Sequence, residues 1–319
     1  MVRCIRVKMK KSNYFIKLPM PCKDNARQIP NYSVPSNLNF CAHIFRKEQF
    51  NLRYILPLIM LCTVMEAFGQ DKHGTIILIA ASNDKIVVAA DSRITLVGQK
   101  YFDDECKVIR LEGDIAFAAA GRRGHISGGH QEFTWQSNTI AVEIAKGTVA
   151  TSNRVQDIAV RWAERVTALH NRDAARGVIS ESISKNPLES AIFAGFDGGK
   201  PTAYQIAISQ NPIDPHSYIK ETRELNLRDG TIIPLGTVDI CLEFFSETTE
   251  RGKAWFAEFN AEYGATISWN AAIIPLFQRI IDLSMAHSVG KKDLGGPIDI
   301  LEIRRTGICW RQKKKNCRE

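Results

Sequence analysis

The sequence lacks several features that would indicate a function directly. Its eight cysteines include no Cys-x-x-Cys pair and no cysteine–histidine cluster with zinc spacing, which excludes the common zinc modules. No apolar run reaches the roughly 20 residues that a membrane-spanning helix needs. No internal repeat occurs, and no linker rich in proline, glycine or serine follows residue 75. We therefore expect one globular domain in the body of the chain.

The basic character of the chain is confined to one end. The net charge is +8, and residues 1–69 carry 11 Lys+Arg and 3 Asp+Glu, so the other 31 basic and 31 acidic residues balance. A basic surface for nucleic acid is therefore not indicated, and we predict no nucleic-acid partner. The tail Arg311–Arg318 is a second basic run; a solvated, frayed terminus is favoured there, and docking on another surface is the alternative.

The N-terminal part of the sequence is typical of a leader. Residues 1–53 show no sustained periodicity, so we expect disorder there or a reading frame extended upstream of the true start. Residues 54–69 combine a basic flank, the apolar run Tyr54–Met65 and small residues at positions −3 and −1 of a cleavage after Gly69. This order predicts a secretory signal, export to the periplasm or medium, and only transient membrane contact. A start inside the apolar run would instead give a cytoplasmic protein.

Residues 75–319 are expected to form one α+β domain. The strand runs are nearly continuous in apolar residues, which is typical of a sheet covered on both faces. Apolar positions repeat at helical spacing in two segments, 153–174 and 268–287. Short turns join apolar runs into three strand pairs before a closing strand: 75–81 with 85–90, 107–111 with 114–120, 191–196 with 202–208, and 297–303.

Four short motifs near the start of this domain occur in a fixed order. Gly74 and Thr75 open the first strand, and Asp91 follows Thr75 by 16 residues in the segment A-A-D-S-R. Lys107 follows Thr75 by 32 residues and opens another strand, and Gly121 ends the run A-A-A-G. In this order and spacing they resemble the proteasome β-subunit and HslV peptidase family of N-terminal nucleophile (Ntn) hydrolases. The resemblance implies a four-layer αββα sandwich with a catalytic threonine.

The family roles of these residues agree with their chemistry. A threonine hydroxyl is a poor nucleophile and needs a base. Cleavage after Gly74 would remove the propeptide remnant 70–74 and free the α-amine of Thr75, whose pKa in peptides is about 7.7–8.0. The ammonium of Lys107 would lower that pKa, and Asp91 would keep Lys107 charged and oriented. The Gly121 N–H would act as an oxyanion donor, a contribution of about 3–4 kcal/mol in other hydrolases.

Three further residues are candidates for supporting roles. Arg93 is expected to support the turn at Asp91 rather than to touch substrate. The family has a serine in the middle of the chain, for which Ser190 is the candidate here. It also has an aspartate and a serine near a late Gly-Gly turn, which resembles Gly295-Gly296; Asp293 is the carboxylate available there, and no serine follows it.

The sequence therefore predicts a threonine-type endopeptidase that acts on peptides or unfolded proteins. The resemblance implies a homo-oligomeric ring. The alternatives are a non-catalytic proteasome-like ring subunit and an Ntn amidohydrolase that acts on small amides. We predict neither a cofactor nor a metal ion. Cys309 and Cys317 are close enough in sequence to form a disulfide in an oxidising compartment, and free thiols are the alternative.

Overall fold

The computed structural model describes residues 75–319 except 97–99, 104–105, 123, 127–132, 178, 180–186, 229, 247, 265–266, 289–293, 315–316 and 318–319. The predicted leader, the signal segment and the remnant 70–74 lie outside the described residues, as does Asp293.

The described part of the chain is an α+β arrangement of fourteen strands and five helices. The strands are β1 (Ile76–Ala81), β2 (Lys85–Ala90), β3 (Ile94–Leu96), β4 (Lys100–Phe102), β5 (Val108–Leu111), β6 (Ile115–Gly121), β7 (Gly124–Ile126), β8 (Phe133–Gln136), β9 (Glu189–Asp197), β10 (Lys200–Gln210), β11 (Tyr218–Glu224), β12 (Ile232–Gly236), β13 (Asp299–Arg304) and β14 (Gly307–Gln312). The helices are α1 (Ser137–Lys146), α2 (Arg154–Ala175), α3 (Asp239–Phe244), α4 (Glu250–Tyr263) and α5 (Trp269–His287).

The strands form two five-stranded antiparallel sheets and two short ribbons. The first sheet has the order β12-β1-β2-β13-β14, and the second has the order β11-β10-β9-β6-β5. The ribbons pair β3 with β4 and β7 with β8. In the first sheet the hairpin of β1 and β2 lies between two strands from the end of the chain, β12 and β13. The start and the end of the domain are therefore joined by main-chain hydrogen bonds.

The first hairpin forms where the sequence predicts it. All twelve residues of β1 and β2 are buried, which agrees with their nearly continuous apolar character. The turn closes through the Ser82 N–H, which donates to Lys85 O at 2.8 Å, and through the Ser82 hydroxyl, which donates to Asp84 Oδ1 at 2.7 Å. A short polar turn between two β-branched runs therefore suffices to fix this hairpin.

Three apolar clusters hold these elements together. One joins α1 and α2 to the second sheet, and another joins α3, α4 and α5 to the first sheet. The third combines buried side chains from both sheets. At the centre of the first cluster, Trp162 of α2 packs on Phe117 and Phe193 with ring centroids 5.4 and 5.6 Å away. Burial of one such aromatic side chain contributes roughly 1.5–3 kcal/mol.

The predicted strand pairs and both predicted helices are confirmed within one or two residues at most boundaries. The closing strand begins at Asp299, two residues later than predicted. The elements that were not predicted are α1, α3, α4, β3, β4, β7, β8, β11, β12 and β14. Within the described ranges, no helix combines the length and the apolar character needed to span a bilayer.

The described residues of the C-terminal tail are docked, which contradicts the expectation of a frayed terminus for this part of the tail. Arg311 contacts Glu302 through two nitrogens at 3.0 and 2.8 Å. Lys314 is buried against Asp299, with its Nζ 2.9 Å from Oδ2. Buried carboxylates attract these cations because an unpaired buried charge is costly.

The disulfide of the tail also differs from the pairing considered from the sequence. Cys317 bonds to Cys106, 211 residues earlier in the chain, and Cys309 is a free, exposed thiol. The sequence did not indicate this partner, because Cys106, just before β5, and Cys317, after β14, come together only in the folded domain.

Candidate active site

Thr75, Asp91 and Lys107 meet in a buried cluster, here named the threonine cluster. The Lys107 ammonium donates to Thr75 Oγ1 at 2.8 Å and to Asp91 Oδ1 at 2.9 Å. The side chains of Asp91 and Lys107 are fully buried, and Thr75 is 7% exposed. Thr75 precedes β1, Asp91 follows β2 and Lys107 precedes β5, so the ends of three strands bring the three side chains together.

Asp91 is surrounded by hydrogen-bond donors. Besides Lys107, its carboxylate accepts the N–H groups of Ile76 at 3.1 Å, Arg93 at 3.2 Å and Gly295 at 3.2 Å. Burial raises the pKa of Asp91, and Lys107 and the donors Ile76 and Gly295 oppose that rise. Because all four partners donate, the ionised carboxylate is the form that this environment satisfies. A fixed negative charge beside Lys107 favours its protonated form.

The main chain of Thr75 is held by the strand that pairs with β1. The Thr237 N–H, just after β12, donates to Thr75 O at 2.8 Å. Gly236 has φ +79°, and a Cβ at this position would lie 1.8 Å from Thr75 O. Only glycine allows so close an approach with this backbone conformation. The position of Thr75 is therefore fixed through its carbonyl as well as through its hydroxyl.

Gly121 is the last residue of β6, with φ +92°. A Cβ here would lie 2.4 Å from Leu188 O, the atom that accepts the Arg122 N–H at 2.8 Å. This bond makes the Gly121–Glu189 pair a non-hydrogen-bonded pair of the antiparallel ladder. The Gly121 N–H therefore points away from β9 and toward the other neighbour of β6, which is β5. Lys107 is the residue before β5.

The supporting residues predicted from the sequence lie at different places. Arg93 forms a two-point ion pair with Asp103, at 2.6 and 2.8 Å, and its guanidinium lies within 2.5 Å of the point that a Cβ on Gly295 would occupy. Arg93 thus supports the turns around Asp91. Ser190 pairs with Ala120 in the β6–β9 ladder, and its alternation with Ala191 places it on the side that faces the first sheet.

Asp299 is a second buried carboxylate near Asp91, and it was not predicted. It pairs with Ala90 in the β2–β13 ladder, which places it next to Asp91. Burial raises the pKa of Asp299, Lys314 opposes the rise, and the charge of Asp91 adds to it. The alternating segment P-I-D-I-L-E-I contained the signal, since an aspartate at a buried strand position needs a cationic partner.

A separate buried polar cluster lies under the helices; we name Ser137, His170 and Glu189 the glutamate cluster. The Ser137 hydroxyl donates to Glu189 Oε1, and His170 Nε2 lies 2.9 Å from Glu189 Oε2. All three residues are fully buried. The Trp135 indole packs edge-on against His170, with ring centroids 4.9 Å apart. The cluster ties α1 and α2 to the strand residue opposite Gly121.

No group of three or more histidine, cysteine or acidic side chains in the described ranges is arranged to hold a metal ion. Comparison with known proteins gave no family model that matches the chain and no matching curated protein.

Proposed function

We propose that this chain is a threonine-type peptidase of the N-terminal nucleophile class, related in mechanism to the proteasome β-subunits and HslV that its motifs resemble. The observation that carries the proposal is the buried Lys107 ammonium, which bridges the Thr75 hydroxyl at 2.8 Å and the Asp91 carboxylate at 2.9 Å. A lysine with only a structural role would need the Asp91 carboxylate but not the Thr75 hydroxyl.

The proposed reaction begins with self-cleavage. The Thr75 hydroxyl attacks the carbonyl carbon of Gly74, and the acyl group moves from nitrogen to oxygen, which frees the Thr75 α-amine. Water then hydrolyses the ester, which releases the propeptide as a carboxylate and restores the Thr75 hydroxyl. In the mature protein this amine takes the hydroxyl proton as the oxygen attacks a peptide carbonyl, and it returns the proton to the leaving amine. A second water hydrolyses the acyl-threonine and regenerates the hydroxyl.

Two neighbours support these steps. The Lys107 ammonium disfavours a second positive charge on the α-amine, which keeps the amine neutral at lower pH. The Gly121 N–H, which points away from β9, is the proposed donor to the oxyanion of the tetrahedral intermediate. Substitution of Gly121 would place a side chain against Leu188 O, which gives the position a steric reason to be glycine.

The proposed fold class is the four-layer αββα sandwich of Ntn hydrolases. It is supported by the two five-stranded sheets, by the apolar cluster that combines residues of both sheets, and by the helices that cover each sheet. A homo-oligomeric ring with peptides or unfolded proteins as substrates is proposed from the resemblance alone. A monomeric mass in light scattering would reject the ring.

Export of the protein is proposed from two independent features. The predicted signal in residues 54–69 is one, and the Cys106–Cys317 disulfide is the other, because structural disulfides persist mainly in oxidising compartments. The amidohydrolase alternative shares the same threonine cluster, so a substrate screen with peptides and small amides separates it from a peptidase.

The decisive experiment determines the first residue of the purified full-length chain by intact mass and N-terminal sequencing. We expect a product that begins at Thr75 and hydrolyses fluorogenic peptides. Thr75→Ala should leave the precursor uncleaved and inactive, whereas Thr75→Ser, which keeps a hydroxyl, should retain both processing and activity in part. A product that keeps residues before Thr75 and is fully active would refute the mechanism, and a folded but inactive wild type would favour the non-catalytic ring subunit.

A further inference from the structure

The disulfide joins the C-terminal tail to the residue immediately before Lys107. Cys106 and Cys317 have their Cα atoms 5.5 Å apart, and Cys317 is 3% exposed. Asn138 of α1 fixes the same residue from the other side, since its Nδ2 donates to Cys106 O at 2.9 Å. The main chain that enters Lys107 is therefore held by one covalent bond and one side-chain hydrogen bond.

A second contact brings the same tail to Asp91. Lys314 donates its backbone N–H to Asp299 Oδ1 at 3.2 Å and its ammonium to Oδ2 at 2.9 Å. The Cys317 sulfur lies 3.7 Å from Asp299 Oδ2. Since Asp299 is opposite Ala90, the tail reaches the end of β2 as well as the start of β5. The tail thus contacts residues that are next to two of the three members of the threonine cluster, Lys107 and Asp91.

We propose that the tail, through Lys314 and Cys317, is a positioning element of the active site, which holds the Lys107 ammonium at Thr75 through the Cys106–Cys317 bond, so that reduction of this bond lowers activity. The inference rests on the proposed function and adds a redox requirement to it. Cys106 and Cys317 act through Lys107 and touch no substrate.

The physical reason lies in how little tolerance Lys107 has. Its side chain is fully buried and has no room to rearrange, so a shift of its Cα is passed on to Nζ, which must remain about 3 Å from two acceptors. A misplacement of about 1 Å at a reacting group can lower turnover by about a hundredfold. A dithiol reductant converts the disulfide to two thiols and is itself oxidised to a disulfide, which balances the two electrons.

The test compares the oxidised full-length protein with Cys106→Ala, Cys317→Ala, the double variant, and wild type reduced by dithiothreitol. We expect all four to lose between about tenfold and a hundredfold in kcat. The two single variants and the double variant should be equally affected, because each removes the same bond. Cys309→Ala, which removes the exposed free thiol, should match wild type, and dithiothreitol should not change the double variant further.

The acid limb of the kcat/KM profile separates positioning from general destabilisation. When the ammonium drifts from Thr75, the pKa of the α-amine rises toward its ordinary value, so the acid limb should move to higher pH. A loss of folded protein would lower the rates without moving the limb. Circular dichroism of each sample confirms that the fold persists after reduction.

The outcomes are distinguishable. If oxidised wild type hydrolyses peptides and Thr75→Ala does not, but reduction changes neither kcat nor the acid limb, the positioning role is overturned while the proposed function stands. Unequal effects of the two single variants would also overturn it. Absence of Thr75-dependent hydrolysis in oxidised wild type would contradict the proposed function, and the inference with it.

Discussion

The threonine cluster and the glutamate cluster are both buried, and each contains a carboxylate and a hydroxyl. They lie on opposite sides of the second sheet and differ in the role of the hydroxyl, which accepts a hydrogen bond in the first and donates one in the second. In the glutamate cluster the Ser137 hydroxyl donates a hydrogen bond to Glu189. In the threonine cluster the Lys107 ammonium lies between carboxylate and hydroxyl, and the Thr75 oxygen accepts. The hydroxyl proton of Thr75 is therefore available to a base, whereas the hydroxyl proton of Ser137 is already hydrogen-bonded to Glu189.

The comparison teaches how one set of residue types serves two purposes. A carboxylate that receives the hydroxyl directly makes a closed structural link between α1, α2 and β9. A carboxylate that holds a cation, which in turn holds the hydroxyl, leaves the hydroxyl ready to react. Substitutions in the threonine cluster should therefore change the reaction rate more than the stability, and substitutions in the glutamate cluster should do the reverse.

The largest effect is expected for Lys107→Ala, which should lower kcat/KM by about 10²–10⁴-fold. The remaining activity should have its acid limb at higher pH, because the α-amine then titrates near its ordinary value. Burial raises the pKa of the Asp91 carboxyl, so it can take up a proton once the cation is gone. Because its three backbone donors also remain, the fold should persist in circular dichroism. Near-wild-type kinetics would show that Lys107 has no part in tuning the amine.

Glu189→Ala should have the opposite profile. It leaves the buried partners Ser137 and His170 without their acceptor, so we expect a loss of about 2–5 kcal/mol in the free energy of unfolding, measured by urea denaturation. The acid limb of kcat/KM for the folded fraction should not move. Glu189→Gln, which keeps the size and one acceptor, is the matched control and should lose less. A shifted acid limb would mean that the two clusters are coupled.

Gly121→Ala tests the strand position that pairs with Glu189 and carries the proposed oxyanion donor. The positive φ and the approach to Leu188 O should cost about 1–3 kcal/mol in stability, with a lower kcat because the N–H is displaced. Gly198→Ala is the matched control, since it has φ +57° and no atom within 4 Å of the added Cβ. It should show backbone strain alone, with kcat unchanged. Equal kcat values for the two variants would contradict the proposed role of Gly121 as an oxyanion donor.

The smallest effect concerns Cys241, which shows what burial does without a charged partner. Burial raises the pKa of its thiol to about 12, so no appreciable thiolate exists at neutral pH. Iodoacetamide at pH 8 should label the exposed Cys309 in the folded protein and leave Cys241 unlabelled until denaturant is added. Mass spectrometry of tryptic peptides gives the result. Rapid labelling of Cys241 would show that the helical layer over the first sheet opens readily.

The sequence predicted the elements whose pattern is local. The runs of β1 and β2 are β-branched and flanked by turn residues, and α2 and α5 keep a long apolar stripe. The helix α3 was not predicted because six residues are too few to show a helical period. Strand β11 has one buried residue in seven, so its edge position gave no apolar run to recognise.

The candidate site was predictable as far as its members follow one another early in the chain. Thr75, Asp91 and Lys107 lie within 33 residues, and their spacing could be matched to a family. Asp299 and Cys317 could not be associated with them, because only the pairing of β2 with β13 brings these residues close. The position of Asp293 lies outside the described residues and stays a prediction.

The hydrogen bond between Asp91 and Gly295 has a consequence for the order of events during biosynthesis. The two residues are 204 positions apart. The Thr75 carbonyl also depends on a distant residue, because it accepts the N–H of Thr237. A ribosome delivers the N-terminal part first. An incomplete chain that ends before Gly295 therefore lacks one of the donors that hold Asp91 charged. Under the proposed self-cleavage, we therefore expect a chain that is truncated before Gly295 to remain an uncleaved precursor.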